Sequence, residues 1–183
     1  MLAARPVRKG VEIRASATGR SLQAAALTLM LAVLANCGAP TRPPPPRATF
    51  AGLPISGSIE DAKRAGFTNC LPDERTMRCR RNGVTLFGFG PFNAAVDLNG
   101  RNGGGGFDQL TMWHDANQDA FIPLGTALER QGWTMCMTGD GNKGDQVIYT
   151  RHGTDVRIMM DLSYWGKRRL RLVPPWNKQD RGC

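Results

Sequence analysis

Hydrophobic residues along this chain follow three rhythms. Residues 24–35, AAALTLMLAVLA, form an almost unbroken apolar run. Two later stretches space their apolar residues by three or four: Ile59, Ala62 and Ala65, then Phe121, Leu124 and Leu128. That spacing lines one face of a helix. Ser58 precedes the first stretch as an N-cap, and Asp61, three residues on, makes a capping box with it. Gly66 and Gly132 stand where left-handed C-terminal caps belong. The pattern predicts a short helix after Ser58 and a longer one over about 119–131, whose first turn accommodates Pro123.

The third rhythm is alternation, which predicts strands. After the first helix come FTNCL, TMRCRR, a run from VTLFGF to AAVDL broken at Gly90-Pro91, and DQLTMW. After the second come WTMCMT, QVIYTR, DVRIMMDLSYW and RRLRLV. Short links predict antiparallel pairing of neighbours. The halves also match in sequence. AKRAGFTNC at 62–70 answers LERQGWTMC at 128–136, RNG at 81–83 answers RHG at 151–153, and AVDL at 95–98 answers MMDL at 159–162. Matches kept in order point to a duplicated unit. The predicted fold class is α+β: two tandem repeats, residues 55–115 and 116–183, each a helix packed on an antiparallel sheet of about four strands.

This order resembles the tandem helix-plus-four-strand architecture of the β-lactamase-inhibitor-protein fold, over residues 55–175. Several small outer-membrane lipoproteins share related units. The resemblance implies a protein-binding module and includes a short-range hairpin disulfide. It carries no functional residue across, and a fold by itself does not settle a function.

The apolar run at 24–35 changes the picture of where the chain works. As a helix it would rise about 18 Å, too short for a ~30 Å hydrocarbon core. Arg5, Arg8, Lys9, Arg14 and Arg20 precede it, as in a secretory signal peptide. Leu34-Ala35-Asn36-Cys37 then resembles the lipobox of bacterial lipoproteins, departing from it at Asn36. That resemblance makes residues 1–36 a signal peptide and Cys37 the lipid attachment site, followed by a proline-rich linker, 37–54. Ordinary cleavage after Ala35 is the rival reading. Gly38 after the cysteine, by the same resemblance, favours the periplasmic face of the outer membrane. Inner membrane and soluble periplasm are the alternatives.

Export makes disulfides expected. The five cysteines are an odd number. Lipidating Cys37 leaves four. Cys70 and Cys79 flank Pro72-Asp73 and would lie opposite each other in a hairpin, which makes Cys70–Cys79 with Cys136–Cys183 the preferred pairing of the three available. Zinc is disfavoured, since there is no C-x-x-C and only two histidines.

The whole chain carries 24 basic and 15 acidic residues, a net +9. Removing the signal peptide's five basic residues and one acidic leaves 19 and 14, a net +5. Such a surface weakly favours anionic partners. Its most distinctive stretch is SYWGKRRLRLVPPW, 163–176. On a strand Lys167, Arg169 and Arg171 share one face, with Tyr164 and Trp165 beside them. These five are the candidate binding residues, for an envelope protein or an anionic envelope component. Export takes the chain away from nucleic acid.

No catalytic, metal or cofactor site is predicted. NGGGG at 102–106 lacks the features of a phosphate loop and reads as a flexible hairpin connection. DANQD at 115–119 and DGNKGD at 140–145 fail the calcium-loop pattern at its sixth or twelfth position. His152 reads as an exposed turn residue in RHG, the expected turn matching RNG, and His114 as the end of a strand. The expected role is a lipid-anchored, non-catalytic binding or structural module. A soluble inhibitor of a hydrolase and an envelope enzyme are the alternatives.

Overall fold

A computed structural model describes residues 43–139, 145–162 and 168–175. Cys37, Tyr164, Trp165, Lys167 and Cys183 lie outside these residues, as does most of DGNKGD.

The local signals around Ser58 act as read. Helix α1, Ile59–Arg64, carries the full capping box: the Ser58 hydroxyl accepts from the Asp61 N–H at 3.3 Å, and the Ser58 N–H donates to Asp61 Oδ2 at 2.9 Å. Ala62 is fully buried, while Ile59 and Ala65 pack partly buried on the core. A 3-10 turn, Gln118–Phe121, capped by Asn117, runs into helix α2, Ile122–Arg130. Phe121, Leu124 and Leu128 are its buried stripe. Gly66 and Gly132 follow the two helices at φ +85° and +82°. Arginines close both C-terminal ends. Arg81 donates to the Ala65 carbonyl at 2.8 Å, and Arg151 to the Gln131 carbonyl at 3.3 Å.

The fold is mixed α+β and mostly strand. Among the described residues, β1 (Ala48–Phe50) and β2 (Leu53–Ser56) make a small hairpin. The remaining eight strands are β3 (Asn69–Pro72), β4 (Thr76–Leu86), β5 (Phe89–Asn99), β6 (Leu110–Trp113), β7 (Thr134–Thr138), β8 (Gln146–Thr150), β9 (Arg157–Asp161) and β10 (Arg169–Val173). They form one antiparallel sheet in the order β3-β4-β5-β6-β10-β9-β8-β7. The last strand of each run pairs with the other, β6 with β10, so the two runs merge at the centre. Both helices contribute to a single apolar core with Val96, Leu98, Leu110, Met112, Ile158, Leu170 and Leu172 on one face of the sheet. Among the described residues no helix covers the opposite face. It carries a second, small cluster of Ile148, Met159 and Val173.

Cys70 and Cys79 are bonded, as expected, directly opposite each other in the β3–β4 ladder with 3.9 Å between Cα atoms. Cys136 is also disulfide-bonded; its partner lies outside the described residues. The matched cysteines of the two halves face opposite ways. Cys70 packs against the helix-side core, Cys136 against the cluster on the free face. A one-residue change of register flips a strand residue from one face to the other.

Four expectations need correction. The break predicted at Gly90-Pro91 is not there: β5 runs through both residues. The chain reverses earlier, at Phe87-Gly88, where both residues have positive φ, +51° and +82°, and Leu86 pairs with Phe89. That is a two-residue hairpin of the I′ kind, which usually advertises itself as Asn-Gly. RNG at 81–83 is not a turn; it lies inside β4, where the register with β5 shifts. NGGGG is no loose connection either. Gly103, Gly105 and Gly106 are buried and hydrogen-bonded to Gly100, Asn99 and Gly103. A Cβ on Gly106 would lie 2.3 Å from the Gly57 carbonyl and 2.6 Å from Pro44. Part of the supposed linker is thus built into the domain: Leu53 is buried, and Ser56 Oγ donates to the Pro46 carbonyl at 2.7 Å.

Candidate functional site

Side chains directly opposite in an antiparallel ladder share a face. On the helix-free face one register row runs Asn69, Arg80, Ala95, Thr111, Arg171, Met159, Ile148, Cys136 across all eight strands. A second row places Asn93, Trp113 and Arg169 side by side on β5, β6 and β10. The β6–β10 junction therefore sets residues of the first run against residues of the second.

Around the junction the face dips into a cleft of about 390 Å³, lined by Asn69, Arg78, Arg80, Asn82, Asn93, Thr111, Trp113, Asp115 and Arg169. Ala95 and Thr111 are the short side chains of the long row, and longer ones rise around them. Arg78 is already matched: its Nε and Nη2 donate to the two Asp97 carboxylate oxygens at 2.6 and 2.7 Å. Those bonds hold its guanidinium still more firmly in the charged form. Asp115 is held from two sides, by Asn93 Nδ2 at 2.5 Å and Trp113 Nε1 at 3.1 Å, which orients the indole. The neighbouring His114 accepts from the Ala116 and Asn117 N–H groups at Nδ1, at 3.2 and 2.9 Å, so its proton sits on Nε2. Arg80 and Arg169 differ from Arg78. Both are exposed, and neither has an ion-pair or hydrogen-bond partner among the described residues. The amides of Asn69 and Asn82 are similarly uncommitted to side chains of the described residues.

Of the binding residues read from the sequence, Arg169 lines this cleft and Arg171 lies two residues along on the same face. Arg171 is tied to Asp161 through Nη2, and its Nε is buried without a hydrogen-bond partner. Arg168 points the other way and pairs with Asp119 at 2.9 Å. Sequence reading missed Arg78 and Arg80. Their R-x-R spacing on β4 is the same signal that marked Arg169 and Arg171, and TMRCRRN carries it in plain view. Asn69, Asn82, Asn93 and Trp113 had no such signal, because they converge only when strands pair.

Among the described residues no cluster of three or more His, Cys, Asp or Glu side chains could hold a metal ion, and no helix is long and apolar enough to cross a membrane. No family model matches the chain, and neither a curated protein nor a solved structure does.

Proposed function

We propose that this chain is an exported lipoprotein, anchored through Cys37, whose domain of two tandem helix-plus-four-strand units binds an anionic component of the cell envelope without catalysis. The binding surface is the helix-free face of the sheet. One observation carries the reading: that face holds an open cleft in which Arg80 and Arg169 have no partner among the described residues. A guanidinium with no ion-pair partner among the described residues, at the wall of a polar cleft, is a ready contact for an anionic group.

The tandem-unit part of the reading is supported by the element order, a helix before β3–β6 and another before β7–β10. It is supported further by Arg81 and Arg151. These matched residues, of RNG and RHG, each donate to the C-terminal carbonyl of their own helix. The opposite orientation of Cys70 and Cys136 shows that any shared ancestry no longer holds residue by residue.

A photo-crosslinking amino acid at position 80 or 169, in the native envelope, tests the surface. Crosslinks should form from these positions and not from position 63 or 129 on the helices. Equal crosslinking from both sides of the domain, or none from the sheet face, would reject the assignment. In the same cells Cys37→Ser should move the protein from the membrane fraction to the soluble one. An unchanged distribution would remove the anchor.

A further inference from the structure

We infer that the cleft is a subsite for an acidic saccharide, a sugar ring bearing a carboxylate, an inference that rests on the reading of the helix-free face as the binding surface. Arg80 and Arg169 are its carboxylate partners. Each presents a planar fork of N–H donors that matches the two oxygens of a carboxylate. Arg78 is not available for this, because Asp97 already occupies it in the same bidentate way.

The rest of the lining fits a ring of hydroxyls better than it fits a peptide. Asn69, Asn82 and Asn93 place amides around the cleft, and Thr111 adds a hydroxyl. An amide offers a donor and an acceptor in one plane, which suits a pair of adjacent hydroxyls. Trp113 stands between Asn93 and Arg169 with its indole oriented by Asp115. The electron-rich face of an indole attracts the slightly positive C–H edge of a sugar. Among the described residues no aliphatic side chain lines the cleft. An acidic peptide would find charge there and no pocket for an apolar anchor. The volume, about 390 Å³, lies at the small end of ligand pockets and suits one or two rings.

The test is calorimetric titration of the full chain with trigalacturonate, with maltotriose as neutral trisaccharide and triglutamate as acidic peptide. Trigalacturonate should bind at least about tenfold more tightly than either comparator. Arg80→Gln and Arg169→Gln should each weaken it about tenfold or more, and Trp113→Ala comparably, while Lys63→Gln on α1 changes nothing. Arg80→Lys should restore part of the loss, since it returns charge without the fork. Circular dichroism of each variant keeps a folding failure apart from a binding loss. No trigalacturonate binding at about 10 mM, or binding indifferent to Arg80 and Arg169, would overturn the inference. Triglutamate binding as tightly, with the same arginine dependence, would overturn it too while leaving the sheet face as the binding surface.

Discussion

Asp61 accepts from the Ser58 N–H, the Ser58 hydroxyl and Arg64 Nη2, the last at 2.5 Å. The backbone hydrogen bond from Ser58 is the main reason its carboxyl titrates below the ordinary carboxylate range, and Arg64 adds to it. A carboxylate whose folded pKa is lowered contributes stability above its unfolded value, about 4, and loses it as pH falls through the folded value. Asp61→Asn should therefore cost stability at pH 7, and the gap from the native chain should shrink below about pH 4. Ser58→Ala should cost about 1 kcal/mol, as removal of an N-cap does. Urea unfolding at the two pH values checks both. A gap independent of pH would mean the charge of Asp61 is irrelevant. Caps of this kind are legible in a sequence because their partners are three residues apart.

The helices end by a longer-range device. Arg81 and Arg151 come from strand β4 and the turn after β8, and each satisfies a carbonyl that a helix end leaves without a partner. Arg81 is half-buried and bonds at 2.8 Å; Arg151 is exposed, bonds at 3.3 Å, and also stacks over the Trp133 ring, 5.4 Å from its centroid. Arg81→Met should cost about 1–2 kcal/mol, and Arg151→Met no more than about 1 kcal/mol. Chemical denaturation of the two variants gives the comparison directly, and a larger loss at Arg151 would contradict this ranking. The pairing of RNG with RHG in sequence aligned the two arginines and read both triplets as turns. It did not reveal that one triplet is a turn and the other lies inside a strand. Alternating side chains look the same on either side of a bulge, and Phe87-Gly88 lacks the Asn-Gly that would have announced the real turn.

At the scale of the molecule, the β6–β10 pairing makes one sheet of two runs of strands. Leu170 sits at that junction, fully buried, between Met112 on β6 and Met160 on β9. Leu170→Ala should cost about 2–5 kcal/mol. Because both runs share the core, unfolding should remain a single transition, and hydrogen-exchange protection should fall in β3–β6 as well as β7–β10. Loss confined to β7–β10 would show that the halves fold independently. The same junction sets Arg169 beside Trp113, in the cleft that Arg80 also lines.

Local sequence marked neither the β1–β2 hairpin nor the β4–β5 turn, but it encodes the two helices with their buried stripes, most strands of the large sheet and the Cys70–Cys79 bond. Each is written in residues close along the chain, through hydrogen bonds over three residues, periodicity over a few turns, or one hairpin. Long-range packing sets the rest: the two strand runs join in one sheet, the glycine-rich loop packs beneath Pro44, and Arg80, Trp113 and Arg169 share a cleft. Arg80 and Arg169 stand 89 positions apart in the sequence. Their meeting depends on the register of three successive strand pairs, and no local pattern of polar and apolar residues encodes a register between distant strands.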